Sequence, residues 1–418
     1  MRLLHTSDWH VGRAIRGHSR AGEHRAVLAE IAGLAAAHAV DLTVVAGDLF
    51  DTSAPTAESE RIAWDALLAL AEVAPVVALA GNHDGARRLD AVARLLALGR
   101  ITVVTEPRPP ADGGVLSLAA ADGTPVLLAT MPFVSQRGIV RSEALMSEPA
   151  FRNAQSYADR LAHVLAALAT GFSGDAVNLV AAHLFVTGGA AGGGERGAHL
   201  VEEYAVPAAA FPVAAAYVAL GHLHRPQALA GPCPIHYCGS PLQLDFGEET
   251  AAKQVNLVEA QPGIRAKVTA LPLRAGRPLV SVTGTVADLE ALAHEQAWSA
   301  DDGDAGPWLR VEVTEPARAG LADEVRAVLG ERVVEVRVAR PADGAGNRQT
   351  GRRDGRTPSQ LFGSYLQDRG VVDADLERAF AALYDEVHEP EEIPEAEPAP
   401  TGSAAAAAGS GSQLSLLS

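Results

Sequence analysis

Lysine is nearly absent from this chain: of 34 basic residues only Lys253 and Lys267 are lysine, and the other 32 are arginine. Each lysine follows an alanine, so no G-x-x-x-x-G-K-[ST] phosphate loop exists and the chain carries no ATPase of that kind. Cysteine is as scarce. Cys233 and Cys238 are the only two, which excludes a disulfide framework and a four-cysteine zinc site and predicts two reduced, half-buried thiols. Positive charge is short as well, with 34 Lys+Arg against 51 Asp+Glu for a net −17 over 418 residues. Duplex affinity comes mainly from basic side chains neutralising phosphates, so a general nucleic-acid coat is excluded. A local basic or metal-filled groove is not. Long hydrophobic runs are missing: the uncharged stretch Tyr204–Gly221 holds Pro207 and Pro212 and is rich in alanine, so no membrane span or membrane partner is expected. The N-terminal MRLLHTSDWHVGR meets charge by Asp8 and lacks the apolar core of a signal peptide, which predicts a soluble, cytoplasmic protein.

What is present is a repeated β-α rhythm over the first ~245 residues. The apolar runs Asp41–Asp48, Pro75–Gly81, Val126–Met131, Val177–His183 and Tyr217–Gly221 read as strands. Helical patterns lie near Gly22–His38, Glu58–Val73, Arg87–Ala97 and Asn153–Thr170. Strands apolar on both faces and alternating with helices predict an α/β fold with a sheet covered on both sides. A smaller β-α-β-α-β unit follows, with strands at Leu279–Thr285, Trp308–Val313 and Val333–Val338 and helices near Ala287–Gln296 and Leu321–Leu329. Beyond it come a loop with five arginines (Arg340–Arg356), two amphipathic helices (Pro358–Arg369 and Asp373–Val387) and an acidic, then Ala/Gly/Ser-rich tail expected to be disordered. The expected domains are 1–275, 276–340 as a small α/β cap, 341–387 as arginine-rich loop and helices, and 388–418 as tail.

Four apolar runs lead directly into metal-capable clusters: Asp8-Trp9-His10, Gly47-Asp48, Gly81-Asn82-His83-Asp84 and Gly221-His222-Leu223-His224. His183 closes a fifth run. Ligands of open α/β sheets bind at the carboxyl ends of strands, so the five segments should converge on one edge. The i,i+2 pairs Asp8/His10 and His222/His224 would point the same way from an extended strand end, and glycines 47, 81 and 221 permit the tight turns. Carboxylate, imidazole and amide together suit Mn²⁺, Fe²⁺ or Zn²⁺. Seven candidates are too many for one ion and suit two sharing a carboxylate, an arrangement that clamps the attacking and leaving oxygens of phosphoryl transfer. Taken singly each piece reads otherwise: Asp48 as a helix cap, His183 as a hydrogen-bonded core histidine. The ordered set of five does not.

The set D-x-H, G-D-x-x-D, G-N-H-D, H and G-H-x-H resembles the calcineurin-like metallophosphoesterases. MRLLHTSDWHVG, VVAGDLFDTSAP, LAGNHD, YVALGHLHRPQ and YCGSPLQLDFGE are similar to the SbcD nuclease-subunit family, bacterial counterparts of a double-strand-break repair nuclease. The resemblance covers residues 1 to about 385. It implies a four-layer sandwich of sheets flanked by helices, a small capping domain and C-terminal helices. It implies two divalent metals, with Mn²⁺ the expected ion: one on Asp8, His10, Asp48 and His224, the other on Asp48, Asn82, His183 and His222, with Asp48 shared. His83 would be the catalytic histidine facing the scissile phosphate, and Asp84 would orient it. For Asp51 and Arg13, support of the ligands and plain surface charge remain equal readings. The resemblance further implies a 3′–5′ double-strand exonuclease and single-strand or hairpin endonuclease in DNA repair, recombination and replication, associated with the nucleoid. Its partners would be an SbcC-type SMC-like ATPase gripped by helices 358–387, double-stranded and hairpin DNA, and a second copy within a heterotetramer, through the Glu58–Val73 and Arg87–Ala97 helices. The loop arginines could meet phosphate or acidic partner residues. The family pattern does not include the acidic tail; without its seven acidic residues between Asp385 and Glu397 the balance is 34 against 44, still −10. The rivals are a small-substrate phosphatase or cyclic-nucleotide phosphodiesterase, and a scaffold with a degenerate site. The cap and terminal helices argue against the first, the complete ligand set against the second.

Overall fold

The computed structural model describes residues 1–135, 157–195, 205–296, 298, 306–339, 362–363, 365–366, 376 and 378–380. The arginine-rich loop, the acidic tail and most of the expected terminal helices lie outside the described residues. The chain divides into two compact units, Met1–Gly355 and Arg356–Ser418. In the second, Phe362 stacks on Phe380 with ring centroids 4.1 Å apart.

Two six-stranded sheets organise the first unit. One contains β1 (Arg2–Thr6), β2 (Leu42–Val45), β3 (Val76–Leu79) and β4 (Ile101–Val104), mutually parallel in the order β1-β2-β3-β4. The other contains β5 (Val115–Ala119), β6 (Pro125–Met131), β7 (Val177–His183), β8 (Tyr217–Gly221), β9 (Gln227–Leu229) and β10 (Ile235–Tyr237), in the order β5-β6-β7-β8-β10-β9. A long hairpin, β11 (Gln254–Gln261) and β12 (Ile264–Pro272), adds antiparallel to β1 and completes the first sheet.

Strand alternation explains the layering. Leu3, Val44 and Leu79 pack against Leu128, Leu179 and Tyr217 in a core between the sheets. Their neighbours Leu4, Val45 and Val76 join an outer core with Val27, Ile31, Leu67 and Leu70; those come from α1 (Ala21–Ala37) and α2 (Ala57–Val73). On the second sheet Leu161, Val164 and Leu165 of α4 (Tyr157–Ala169) cover Val180 and Val218. The order is helix, sheet, sheet, helix, as the family resemblance implies. Each sheet is thus covered on both sides, by helices on one face and by its twin on the other. α3 (Ala86–Ala97) precedes β4 at the edge.

The small unit has parallel strands β13 (Leu279–Gly284), β14 (Trp308–Val313) and β15 (Val333–Val338), with α5 (Val286–Glu295) and α6 (Leu321–Leu329). Thr285 starts α5 with a reciprocal cap to Asp288. Leu279, Trp308 and Val334 bury against Ile15 and Phe246 of the larger part. Trp308 Nε1 donates to Glu23 Oε1 at 2.8 Å, with the Arg277 guanidinium 3.5 Å over the indole. Arg310 reaches Glu249 at 3.1 Å and Arg16 reaches Glu335 at 2.9 Å. Cys233 and Cys238 are free and fully buried rather than half-buried.

Candidate metal centre

The five segments meet at the carboxyl ends of β1, β2, β3, β7 and β8, so the site is shared by both sheets. Asp8, His10 and His224 offer ligand atoms within 4.8 Å of one another, as do His10, Asp48 and His83, and Asp8, Asp48 and His183. Asp48 Oδ2 lies 3.5 Å from His10 Nε2 and 3.5 Å from His183 Nε2, between the two halves. Asn82 Oδ1 is 2.9 Å from His183 Nε2 and 2.8 Å from His222 Nδ1, which brings in the last two expected residues. All of the clustered carboxylates and imidazoles are buried.

The backbone route differs from the extended strand ends expected for the i,i+2 pairs. Asp8 (φ 52°), His10 (φ 46°), Asp48 (φ 52°) and His222 (φ 105°) lie in the left-handed region. Non-glycine residues rarely adopt it, and such strain collects at functional sites. The glycines act mainly through space. A Cβ on Gly81 would lie 2.1 Å from Asp48 Oδ1, and one on Gly221 2.0 Å from the Ala46 carbonyl. Only Gly47 also needs its positive φ, +98°, and there a Cβ would meet His183 Nδ1 at 2.2 Å.

The donor set fits a pair of cations. His183 Nδ1 faces the Ala46 carbonyl at 2.8 Å and must donate to it, leaving an aprotic Nε2 toward Asn82 Oδ1. Burial holds His183 well below its ordinary pKa and His10 down at about 3, so both rings are neutral with lone pairs turned inward. His10 Nε2 and His224 Nε2 confront each other at 3.1 Å. Outer oxygens face the opposite ring nitrogens: Glu248 Oε1 lies within hydrogen-bond reach of His224 Nδ1 at 3.2 Å, and Asp51 Oδ1 lies 3.5 Å from His10 Nδ1. Carboxylate- or carbonyl-held imidazoles are the usual outer support of metal ligands. Burial also pushes Asp8 up to about 7 and Asp84 up to about 6.

The geometry adds partners for two of these residues. The Asp84 carboxylate accepts from the amides of Leu49, Phe50 and Gly81 at 3.2, 3.0 and 2.9 Å, locking the β2 and β3 exit loops together. His83 is held by its backbone N–H on Asp48 Oδ1 (2.8 Å) and by Nδ1 on the Asp51 carbonyl (2.7 Å). Asp51, paired with Arg13 at 3.1 Å, thus supports the cluster rather than the surface. Sequence reasoning missed Glu195, Glu248 and Lys253. Glu195 accepts from the His224 N–H at 2.9 Å and from two glycines of its own loop. A buried lysine in an arginine-rich chain was the available signal for the last pair. His5, outside the cluster, bonds Tyr217 Oη (2.9 Å) and the Leu220 carbonyl (3.1 Å) in the inter-sheet core.

The calcineurin-like phosphoesterase family model matches residues 1–226, and a model described as the type 5 capsule protein repressor C-terminal domain matches 275–369. The SbcD component of nuclease SbcCD from Bacillus subtilis (strain 168) is 33% identical over 323 residues, covering 75% of this chain and 79% of the relative. The SbcD protein of Escherichia coli (strain K12) is 32% identical, covering 75% and 78%, and that of Rhodobacter capsulatus is 35% identical, covering 65% and 69%. The geometry above and these relatives agree: the chain belongs to the calcineurin-like phosphoesterases and, within them, to the SbcD components of SbcCD nucleases.

Proposed function

We propose that this chain cleaves DNA phosphodiester bonds with two divalent cations, Mn²⁺ by preference, as a 3′–5′ double-strand exonuclease and a single-strand and hairpin endonuclease. One cation would be held by Asp8, His10, Asp48 and His224, the other by Asp48, Asn82, His183 and His222. The observation that carries this reading is the pair of 3.5 Å separations that set Asp48 Oδ2 between His10 and His183. When bound, such ions polarise the phosphate and lower the pKa of the attacking water. His83, its Nδ1–H given to the Asp51 carbonyl, would act as the imidazolium, its Nε2–H steadying the charge on the leaving 3′ oxygen or passing to it as a proton. Asp84 acts at one remove by fixing the loops that carry Asp48 and His83.

An SMC-like ATPase would dock on the helices within 358–387, and the missing phosphate loop fits ATP use by that partner. The domain division 1–275, 276–340, 341–387 and 388–418 goes with this reading. The test incubates the purified chain with Mn²⁺ and end-labelled duplex or hairpin DNA, beside p-nitrophenyl phosphate and its bis ester. DNA cleavage lost in both His83→Ala and Asp48→Ala supports the nuclease. Turnover of the small esters with intact DNA, partner supplied, rejects it.

A further inference from the structure

His224 is gripped by groups outside the proposed ligand set. Glu248, 1% exposed, places Oε1 3.2 Å from His224 Nδ1, and its Oε2 receives the Lys253 ammonium at 2.6 Å. Lys253 also donates to the His224 carbonyl at 3.1 Å and to Ser240 Oγ at 2.8 Å. A glycine run presses on this assembly: a Cβ on Gly194 would lie 2.8 Å from Glu248 Oε1 and 2.9 Å from His224 Nδ1. Burying an ion pair is costly unless further hydrogen bonds satisfy it, and here they do. The chain writes 32 of its 34 basic residues as arginine, yet this one is lysine. A compact ammonium can serve three acceptors on different sides where a planar guanidinium fork cannot. Glu248 and Lys253 also lie beyond residues 1–226, which the phosphoesterase family model matches.

We infer that Glu248 and Lys253 are positioning residues for one half of the metal centre. Glu248 accepts the Nδ1 proton of His224, which fixes the tautomer and directs an aprotic Nε2 inward. Lys253 fixes Glu248 and ties the same residue's carbonyl, so ring and backbone are set together. The inference rests on His224 being a metal ligand. It assigns the pair to the Asp8–His10–His224 half and leaves the Asn82–His183–His222 half untouched.

The test titrates Mn²⁺ into metal-stripped protein by calorimetry, with thermal unfolding in chelator as the check on folding. Wild type is expected to take two ions and His224→Ala one. Glu248→Ala and Lys253→Met should each weaken one of the two sites by about 10–100-fold. The double variant should be weakened by less than the product of the two single effects, because Lys253 acts in part through Glu248 on the same ring nitrogen. Glu248→Gln, whose amide oxygen still accepts from Nδ1, should recover most of the affinity. Nuclease activity of these variants should return at raised Mn²⁺. A folded Glu248→Ala or Lys253→Met protein with wild-type affinity at both sites overturns the inference, as does equal weakening of both. Should Glu248→Ala not fold, Lys253→Met decides by the same criterion. Two ions retained in His224→Ala would instead sink the ligand assignment beneath it.

Discussion

At the scale of single residues, the cluster depends on atoms that are not there. The Gly221 Cα faces the Ala46 carbonyl, and that carbonyl also orients His183. Gly221→Ala is therefore expected to push the two sheets' exit loops apart. The cost should be about 1–3 kcal/mol, the usual range for overpacking, with loss of Mn²⁺ binding; urea unfolding and calorimetry check the two effects. Buried histidines away from the metals set a second expectation. Burial lowers His5 from 6.5 to about 3, with His236 adding to the effect, and lowers His24 to about 4, with Arg20 adding. The unfolded chain takes up these protons near pH 6.5, while the folded chain refuses them until far lower. Their stabilisation is thus complete above pH 6.5 and falls as pH drops toward 4, each proton steepening the slope by up to about 1.4 kcal/mol per pH unit. A His5→Gln, His24→Gln protein should show a flatter decline in urea titrations over that window.

At the scale of elements, one of the loops that fasten the small unit also leads away from the metal centre. Ile15 and Arg16 lie between the Asp8–His10 segment and α1, and both touch the cap: Ile15 through Trp308, Arg16 through Glu335. Trp308→Ala removes the indole from this joint and the Nε1 bond to Glu23. About 3–5 kcal/mol of local stability should go with it, seen as faster proteolysis between Leu273 and Pro278 while the two-sheet core persists. The strands that lead to the site were legible because each is an apolar run ending in polar chemistry; the parallel strands β4 and β10, which do not lead there, were not. β12 was not: its side chains alternate between exposed and half-buried, so no apolar run marks it. The second sheet was hidden too, because a strand buried against another sheet has the same composition as one buried against helices. The site residues were legible from their order at the strand ends. Their left-handed backbone was not, since φ is imposed by the packing of Asp8 and Asp48 between sheets. The three amides that hold Asp84 were not legible, because they are distant in sequence or on its own turn, invisible to spacing.

At the scale of the whole molecule, a chain of net charge −17 that acts on DNA must confine contact to its metal cleft and a few arginines, or share the work with other chains. The surface favours sharing. α3 buries only Leu89 fully, while Leu95 and Leu98 are 68% and 85% exposed. Leu68 of α2, 46% exposed, belongs to the same face, because a Cβ on Gly99 would lie 3.3 Å from its Cδ2. Soluble chains rarely leave neighbouring leucines to water without a partner, and a two-fold interface is self-complementary, so one apolar face suffices for both copies. The homodimer that the family resemblance implies for these two helices would form on this face. Leu98→Asp places a charge at its centre and should convert the dimer to monomer in light-scattering chromatography. Hydrolysis of the small bis ester should persist, because no metal-centre residue lies on α3, whereas processing of long duplex should fall. A wild-type chain that runs as a monomer at micromolar concentration would leave the leucines to another partner and remove the second copy from the assembly.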